Sequence, residues 1–342
     1  MFYDKNKRYE GRLIMRDEVR RRCELLIQNR DTMNEAFKWG NSLLNLSAAY
    51  MITSKEKRAD VAKLKQCKDL IKEKTSTFSN FKGNANCAIT AMLAVSPNAE
   101  MLLADGMRVH EMLKAKLRDS AYLPMAAMSI ARLVPLERQE EIVDKTKEIY
   151  DWIKKEHPFL TSAEDSSFCA LLALSGKNVE ELVTEAETCY RFLTEHTRYP
   201  KNSVQSLSHV LALYDGTAEE KCEKVKALYE TLKACGLKYG TNYELPMLGI
   251  IAMTNHDYDA LAEELSEVST WLSKQKGFGL WGYVSVRQRL MFAGMLLQEQ
   301  EGQNEVSETA LIQSSIATVV AQQAAMISVM AASTAAATAA NS

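Results

Sequence analysis

A pattern that returns every 39 or 40 residues constrains the fold of this chain more than any other feature of its sequence. Each copy begins with a short apolar run, such as residues 171–174, and ends with an amphipathic segment. Equivalent positions at the ends of the five copies are Met112, Trp152, Phe192, Thr231 and Trp271. A fixed period of this length is typical of stacked helical units rather than of one irregular core. The sequence therefore predicts a tandem array.

Each copy reads as two helices of different character. In the central copy, apolar residues between positions 179 and 193 recur at steps of three and four, and glutamates occupy the opposite face. Such a segment is an outer helix with one face in water. The preceding run, residues 167–174, is almost uninterrupted and predicts an inner helix covered on both sides. The predicted fold is all-α, with tandem helical hairpins of about 40 residues that form an α-solenoid or an α/α toroid.

Helix-start signals separate the two helices of each copy. Ser96, Asn178 and Thr217 are expected to begin outer helices, and Thr217 has a glutamate three residues later, which predicts a capping box. Pro124 and Pro246 are expected to open inner helices, where the missing proline N–H has no consequence.

The repeat also divides the chain. Residues 1–79 are expected to form a helical cap, with helices over 11–30, 32–53 and 57–74, and the polar loop 75–84 marks its boundary. Residues 80–300 carry the helical hairpins, and residues 301–342 are rich in alanine. The three parts are expected to form one continuous structural unit, because the repeat is uninterrupted.

Three aromatic positions provide a test of the repeat. Trp152, Phe192 and Trp271 are equivalent in the pattern. We expect all three to be buried between inner and outer helices. Truncation of either tryptophan to alanine would then cost about 3–5 kcal/mol, as for other buried large aromatic side chains.

The C-terminal stretch is long and uncharged. No charged residue occurs from 309 to 342, but residues 312–330 contain seven polar side chains, which disfavours a membrane span. The favoured interpretation is a helix docked on the array over Met291, Leu296 and Leu297. A membrane-bound or self-associating helix and a disordered tail stay open as alternatives.

The charge balance bears on the kind of partner, and the cysteines bear on the cellular compartment. The chain has 42 basic and 44 acidic residues, interspersed, which disfavours nucleic acid and membrane partners. Seven single cysteines, most on apolar stripes, are typical of buried side chains in a reducing compartment. The first residues lack an apolar signal region, so the predicted location is the cytoplasm.

No motif in the sequence identifies a catalytic activity or a bound group. The five histidines and seven cysteines lack the spacing of a zinc site, and glycine-rich phosphate or dinucleotide patterns are missing. We therefore predict neither a metal nor a cofactor. His209 lies on an inner helix and is expected to be a hydrogen-bonded core residue rather than a catalytic base.

Several motifs resemble those of a known family. They are the turn at 78–84 (Phe-Ser-Asn-Phe-Lys-Gly-Asn), the segment at 287–293 (Arg-Gln-Arg-Leu-Met-Phe-Ala) and the segment at 322–326 (Gln-Gln-Ala-Ala-Met). Together with the helical pairs, they make the chain similar over nearly its whole length to DUF4003, a bacterial family of unknown function. The resemblance implies a bacterial cytoplasmic protein and supplies no functional residue.

The geometry of the array suggests where a site would lie. If all inner helices run in one direction, the loops that precede them gather at one rim, where helix N-termini add positive potential. The ligand-binding candidates at this rim are Asn84, Tyr122, Tyr243, Glu244 and Arg287. The simpler interpretation is that these are surface and capping residues, and Arg287 could instead pair with Glu244 internally.

The sequence is compatible with two functions. The favoured one is a binding scaffold, without enzymatic activity, for an unknown protein or small-molecule ligand. The alternative is an α/α-toroid enzyme, such as a glycoside hydrolase-like protein, that uses pairs of rim carboxylates. The carboxylates available for it are Asp119, Glu164, Asp165 and Glu244.

Overall fold

The computed structural model describes residues 15–298 except 39, 162, 164, 255 and 256, and within them it contains fourteen α-helices and no strand. The outer helices are α1 (Asp17–Ala36), α3 (Val61–Lys74), α5 (Ala99–Lys114), α7 (Gln139–Glu156), α9 (Val179–His196), α11 (Ala218–Ala234) and α13 (Tyr258–Ser273). The inner helices are α2 (Ser42–Thr53), α4 (Asn86–Val95), α6 (Leu123–Leu133), α8 (Asp165–Leu174), α10 (Lys201–Ala212), α12 (Leu245–Thr254) and α14 (Val286–Leu297). The all-α prediction is confirmed.

Inner and outer helices differ in burial as their sequences require. In α8 every residue from Asp165 to Ala173 is buried, whereas α9 buries only one stripe and leaves its glutamates wholly or partly exposed. Each inner helix packs on the outer helix before it and on neighbouring inner helices, so apolar side chains cover it on all sides. The core therefore runs along the inner layer of the array.

The aromatic landmarks are not buried as predicted. Trp152, Phe192 and Trp271 are only half-buried, so the expectation of full burial was wrong. The residue that follows each landmark points inward instead, because one helical step turns a side chain by about 100°. The buried set is Leu113, Ile153, Leu193, Leu232 and Leu272. The register of the repeat is unaffected, and its buried landmark lies one residue later.

Most of the predicted caps are present. Thr217 forms the capping box, Asn178 accepts hydrogen bonds from two backbone N–H groups of α9, and Pro124 lies in the first turn of α6. Ser96 was the wrong choice, because the hydroxyl of Ser96 bonds within the loop. The cap of α5 is Asn98, whose side chain accepts from the N–H of Met101.

The N-terminal helices have different bounds from those predicted. Helix α1 continues to Ala36, and α2 begins only at Ser42, so the predicted helix over 32–53 is two segments. The break follows from Asn41, whose side chain accepts hydrogen bonds from the N–H groups of Leu43 and Leu44. Helix α3 begins at Val61 rather than at residue 57, because Asp60 caps it.

The first helices of the array contact the last ones. The guanidinium of Arg22 in α1 donates to the carbonyls of Leu296 and Gln298 at 3.2 and 2.8 Å. The hydroxyl of Tyr50 in α2 donates to the carbonyl of Met295 in α14 at 3.0 Å. Helices α1 and α14 thus lie side by side.

The predicted C-terminal helix lies outside the described residues, while Met291, Leu296 and Leu297, which it was expected to cover, are buried. No helix in the described part is long and apolar enough to cross a membrane. Six of the seven cysteines are buried free thiols, as expected, and Cys235 is exposed.

Candidate functional site

The loops that lead from an outer helix into the next inner helix lie at the N-terminal ends of the inner helices, and we call them together the N rim. Asn80 donates to the carboxylate of Asp119 in the following loop at 2.9 Å, and Gln205 of α10 donates to Thr161 of the loop before α8 at 3.3 Å. In the described residues the N-rim loops are 37–41 without 39, 75–85, 115–122, 157–163 without 162, 197–200, 235–244 and 274–285. The described loop residues at the other end, the C rim, are 54–60, 96–98, 134–138, 175–178, 213–217 and 257.

The five predicted ligand-binding residues all belong to the N rim or to the first turn above it, but their surroundings differ. Asn84 and Arg287 are exposed, Tyr122 is half-buried and Tyr243 is partly exposed. Glu244 is buried and forms no ion pair with Arg287 in the described part of the chain, so the proposed internal pair is not observed. No hydrogen bond or ion pair between the described residues joins Glu244 and Arg287 into one site.

Glu244 has an unusual setting. Its carboxylate lies against the backbone at Gly240, where an added Cβ would come within 2.3 Å of Oε2. Neither this oxygen nor the buried hydroxyl of Tyr239 has a hydrogen-bond partner among the described residues. Burial, and then the nearby charge of Glu244, raise the pKa of Tyr239 well above its ordinary value. The oxygen is thus an enclosed acceptor without a donor in the described part of the chain, and a donor from outside the protein would reach it only after movement of the loop that contains it.

Fully exposed apolar side chains are the most distinctive feature of the N rim. Phe78, Phe159 and Trp281 are 98, 99 and 96% exposed, and Leu280, beside Trp281, is 92% exposed. Each aromatic residue occupies the third position of a turn closed by a backbone hydrogen bond, for example from Gly282 N to Gly279 O at 2.9 Å. The equivalent bonds for the other two run from Ser79 N to Ser76 O and from Leu160 N to His157 O. The turns therefore hold apolar side chains in water.

The turn that carries Trp281 is the most strongly fixed of the three. Val284 N donates to Gly277 O at 3.0 Å and closes the base of the loop. Arg289 donates to the carbonyl of Phe278 at 2.8 Å, and Phe278 is fully buried. Gly277 adopts a φ of 88°, which favours glycine.

Replacement of Gly282 by alanine is expected to open this turn. The new Cβ would lie 2.1 Å from the carbonyl oxygen of Gly277, a backbone atom that cannot move without breaking the loop. We expect a loss of about 2 kcal/mol in a denaturant titration, as for other overpacked sites. Gly83→Ala is the matched control on the same rim, because its Cβ would meet only Asn80 O at an ordinary 3.4 Å. Equal stability of the two variants would contradict the described turn.

The N rim is also basic. Among the described residues, its loops contain eight lysine or arginine residues and only two carboxylate residues. Lys116 pairs with Asp144, and Lys82 donates to the carbonyl of Thr75. The other six cations are exposed and form no ion pair in the described part: Lys38, Arg118, Arg198, Lys238, Lys274 and Lys276. The N rim therefore combines unpaired positive charge with exposed apolar side chains.

The C rim has the opposite character. Its loops carry equal numbers of cations and anions, but the first turns of the outer helices add ten carboxylates there. These are Asp17, Glu18, Glu100, Glu140, Glu141, Glu180, Glu181, Glu219, Glu220 and Asp259. Acidic residues at helix N-termini stabilise the helix dipole, so helix stability explains this charge. Three of the N-rim cations lie within two residues of the end of an outer helix, where positive charge also complements the helix dipole: Lys38, Arg198 and Lys274. The dipole does not account for Arg118, Lys238 and Lys276, which lie farther from a helix end.

A buried polar cluster lies beneath the loop of residues 157–164. His157 Nε2 lies 2.7 Å from the carboxylate of Glu187, and its ring packs on Tyr190. His209 on α10 is fully enclosed, and Nδ1 has no partner among the described residues. Burial, and then the neighbouring His157, lower the pKa of His209 to about 3. His209 is therefore a neutral core residue, as predicted, but the predicted hydrogen bond is not observed at Nδ1 among the described residues.

His209 is expected to make stability fall in mild acid. Its folded-state pKa lies below the ordinary value of about 6.5, so the unfolded chain binds a proton first as the pH falls. The contribution is present above pH 6.5 and is lost toward pH 3, about 2 kcal/mol of it between pH 7 and pH 5. Denaturant titrations at the two pH values should show this loss in the wild type and in the control His196→Gln, and not in His209→Leu. If His209→Leu lost as much stability between pH 7 and pH 5 as the wild type does, the assignment would be refuted.

Some of these features could not be found by looking for reactive motifs. Phe159 was not among the predicted site residues, and Leu280 was not singled out, because neither belongs to a chemical pattern. Their sequence signal is an apolar side chain next to proline or between two glycines: Pro158 precedes Phe159, and Gly279 and Gly282 flank the Leu280–Trp281 pair. Large apolar residues inside turn sequences are exposed unless something covers them.

Comparison with known proteins gives a family but no activity. A family model described as "Protein of unknown function (DUF4003)" matches residues 29–325. The chain is also similar to "Uncharacterized protein YeaA" of Bacillus subtilis (strain 168), with 22% identity over 299 residues, which are 86% of this chain and 88% of that protein. No solved structure matches the chain significantly. The family model spans far more than half of the sequence, so this chain belongs to the DUF4003 family.

Proposed function

We propose that this protein is a binding scaffold without enzymatic activity and that the N rim is its binding face. The observation that carries the proposal is the exposure of Phe78, Phe159 and Trp281, each held by a hydrogen-bonded turn. Contact with a partner would remove the apolar area of these three side chains from water, which favours binding. Aromatic anchors on a rigid framework are typical of recognition surfaces, because little conformational entropy is lost on binding.

We infer further that the hairpins close into a ring, that is, an α/α toroid rather than an open solenoid. The hydrogen bonds from Arg22 and Tyr50 to α14 support closure, and so does the ion pair between Arg16 in front of α1 and Glu264 in α13, with Nε and Oε1 3.0 Å apart. In such a ring the last hairpin, α13 and α14, would pack against the first, α1 and α2. The N-rim loops would then surround one end of a filled helical core and form a single face.

The proposal is tested by comparing two sets of substitutions. The N-rim variant carries Phe78→Ser, Phe159→Ser and Trp281→Ser. The control variant carries Met101→Ser and Leu136→Ser, which replace exposed apolar residues near the C rim. The immobilised proteins are incubated with soluble and membrane fractions of a bacterial extract. We expect wild type and control to retain the same components and the N-rim variant to lose them; identical retention by all three would refute the proposal.

A second candidate is a small-molecule site at Glu244, with or without catalysis. It is favoured by the buried Oε2 atom and the Tyr239 hydroxyl, which lack partners among the described residues. Two other predicted rim carboxylates are less suitable for binding a ligand. Asp119 already accepts a hydrogen bond from Asn80, and Asp165 is buried in α8. A thermal-shift screen of amines and sugars should find ligands that stabilise the wild type and not Glu244→Gln. If every stabilising ligand acted equally on both proteins, this site would be excluded.

A further inference from the structure

The charge on the two ends of the array indicates which kind of partner the N rim fits. The exposed apolar side chains and the unpaired cations belong to the same loops, whereas the carboxylates of the outer-helix first turns lie toward the C rim. Lys274 and Lys276 precede the turn that carries Trp281, and Arg287 follows it. A partner that accepts both groups carries negative charge together with apolar surface.

The distribution of the apolar side chains distinguishes two kinds of partner. Phe78, Phe159 and Trp281 lie on three different loops, and their exposure shows that none of them packs against another apolar side chain. Protein partners are usually bound through a contiguous apolar centre surrounded by polar groups. A lipid interface accepts separate aromatic side chains one by one and attracts the lysine and arginine residues around them.

We propose that the N rim docks on the surface of an anionic lipid bilayer. This proposal rests on the proposed function and specifies the partner. The aromatic side chains and Leu280 enter the interfacial layer, and the unpaired lysine and arginine residues contact anionic headgroups. The protein lies on the membrane without crossing it. The net charge of the chain, −2, does not oppose this docking, because the carboxylates near the C rim face away from the bilayer.

The test measures binding of the full chain to vesicles by sedimentation. Vesicles of equal parts phosphatidylglycerol and phosphatidylcholine should bind the wild type, and vesicles of phosphatidylcholine alone should not. The substitutions Phe78→Ser, Phe159→Ser and Trp281→Ser together should weaken binding about tenfold or more. Met101→Ser with Leu136→Ser should leave it unchanged. Lys274→Glu with Lys276→Glu should also weaken it, and added salt should weaken binding of the wild type because headgroup attraction is screened.

A fluorescence measurement identifies the part of the chain that enters the bilayer. In a variant with Trp39, Trp152 and Trp271 replaced by phenylalanine, the emission of Trp281 should shift to shorter wavelength when the anionic vesicles are added. Failure of the wild type to bind these vesicles would overturn the proposal. Binding that survives the triple substitution would overturn it too, because the contact would then lie elsewhere, for example in residues 309–342. Soluble proteins retained through the N rim, together with no vesicle binding, would leave the binding-scaffold function standing and refute only the lipid partner.

Discussion

Replacement of Lys221 by alanine is expected to destabilise the protein by about 3 kcal/mol, because it removes a buried side chain together with an ion pair whose cation is shielded from water. Lys221 is only 1% exposed, and its ammonium lies 2.5 Å from the carboxylate of Glu185 and 3.0 Å from the carbonyl of Tyr214. The pair joins the outer helices α9 and α11. The substitution leaves the partly exposed carboxylate of Glu185 without its cation and the carbonyl of Tyr214 without its donor, and the truncated stem leaves a cavity.

Two further variants identify the source of this loss. Lys221→Met keeps most of the side-chain volume, so the difference between methionine and alanine measures the cavity. Lys233→Ala removes a similar but exposed pair with Glu230 and should change the free energy of unfolding by less than about 1 kcal/mol. A denaturant titration in which Lys221→Ala and Lys233→Ala were equally stable would show that Lys221 is not buried as described.

Leu193→Ala is expected to cost about 3 kcal/mol or more, and Phe192→Ala only about half as much. Leu193 is completely buried at the end of α9, so its truncation leaves a cavity in the core. The ring of Phe192 is half-exposed, stacks on His196 and faces the ammonium of Lys226 at 5.5 Å. The two residues are adjacent and differ mainly in the direction of their side chains.

The order of these two effects can be checked by chemical denaturation of both variants. The full-burial interpretation of the aromatic landmarks predicts the larger loss for Phe192, whereas the structure predicts it for Leu193. The same comparison can be made between Trp271 and Leu272 in α13, where the leucine is again the buried member. A larger loss for the aromatic residue in both pairs would contradict the helix orientation described here.

The repeat, the helix types and most caps could be predicted from the sequence, because they depend on local spacing. The alternation of apolar and polar positions in 179–193 specifies an outer helix without knowledge of its neighbours. Thr217 and its glutamate three residues later specify a helix start in the same way. The spacing of Leu182, Ala186 and Leu193 already places Leu193 on the apolar face of α9. The expectation of a buried Phe192 came from aligning the aromatic positions of the copies and not from the helical period.

The combination of positive charge and exposed apolar side chains at the N rim could not be predicted from the sequence, because it depends on which loops lie at the same end of the inner helices. Lys38, Arg118 and Lys274 are far apart in the sequence, and their charges cancel against carboxylates when the whole chain is summed. The hairpin topology separates the two signs, since N-rim loops follow the ends of outer helices and C-rim loops precede their acidic first turns. The same topology places Asp119 beside Asn80 and buries Glu244, which a list of rim carboxylates does not reveal.

The N rim is a single face only if the array is closed, and a distance between its first and last outer helices tests closure most directly. Spin labels at cysteines replacing Arg20 in α1 and Glu263 in α13, both exposed, would lie near the Arg16–Glu264 ion pair. Cys235, the exposed native thiol, is first replaced by serine. Double electron–electron resonance should then give one short, narrow distance distribution, as in a ring. A broad distribution at long distances would show an open solenoid and contradict closure.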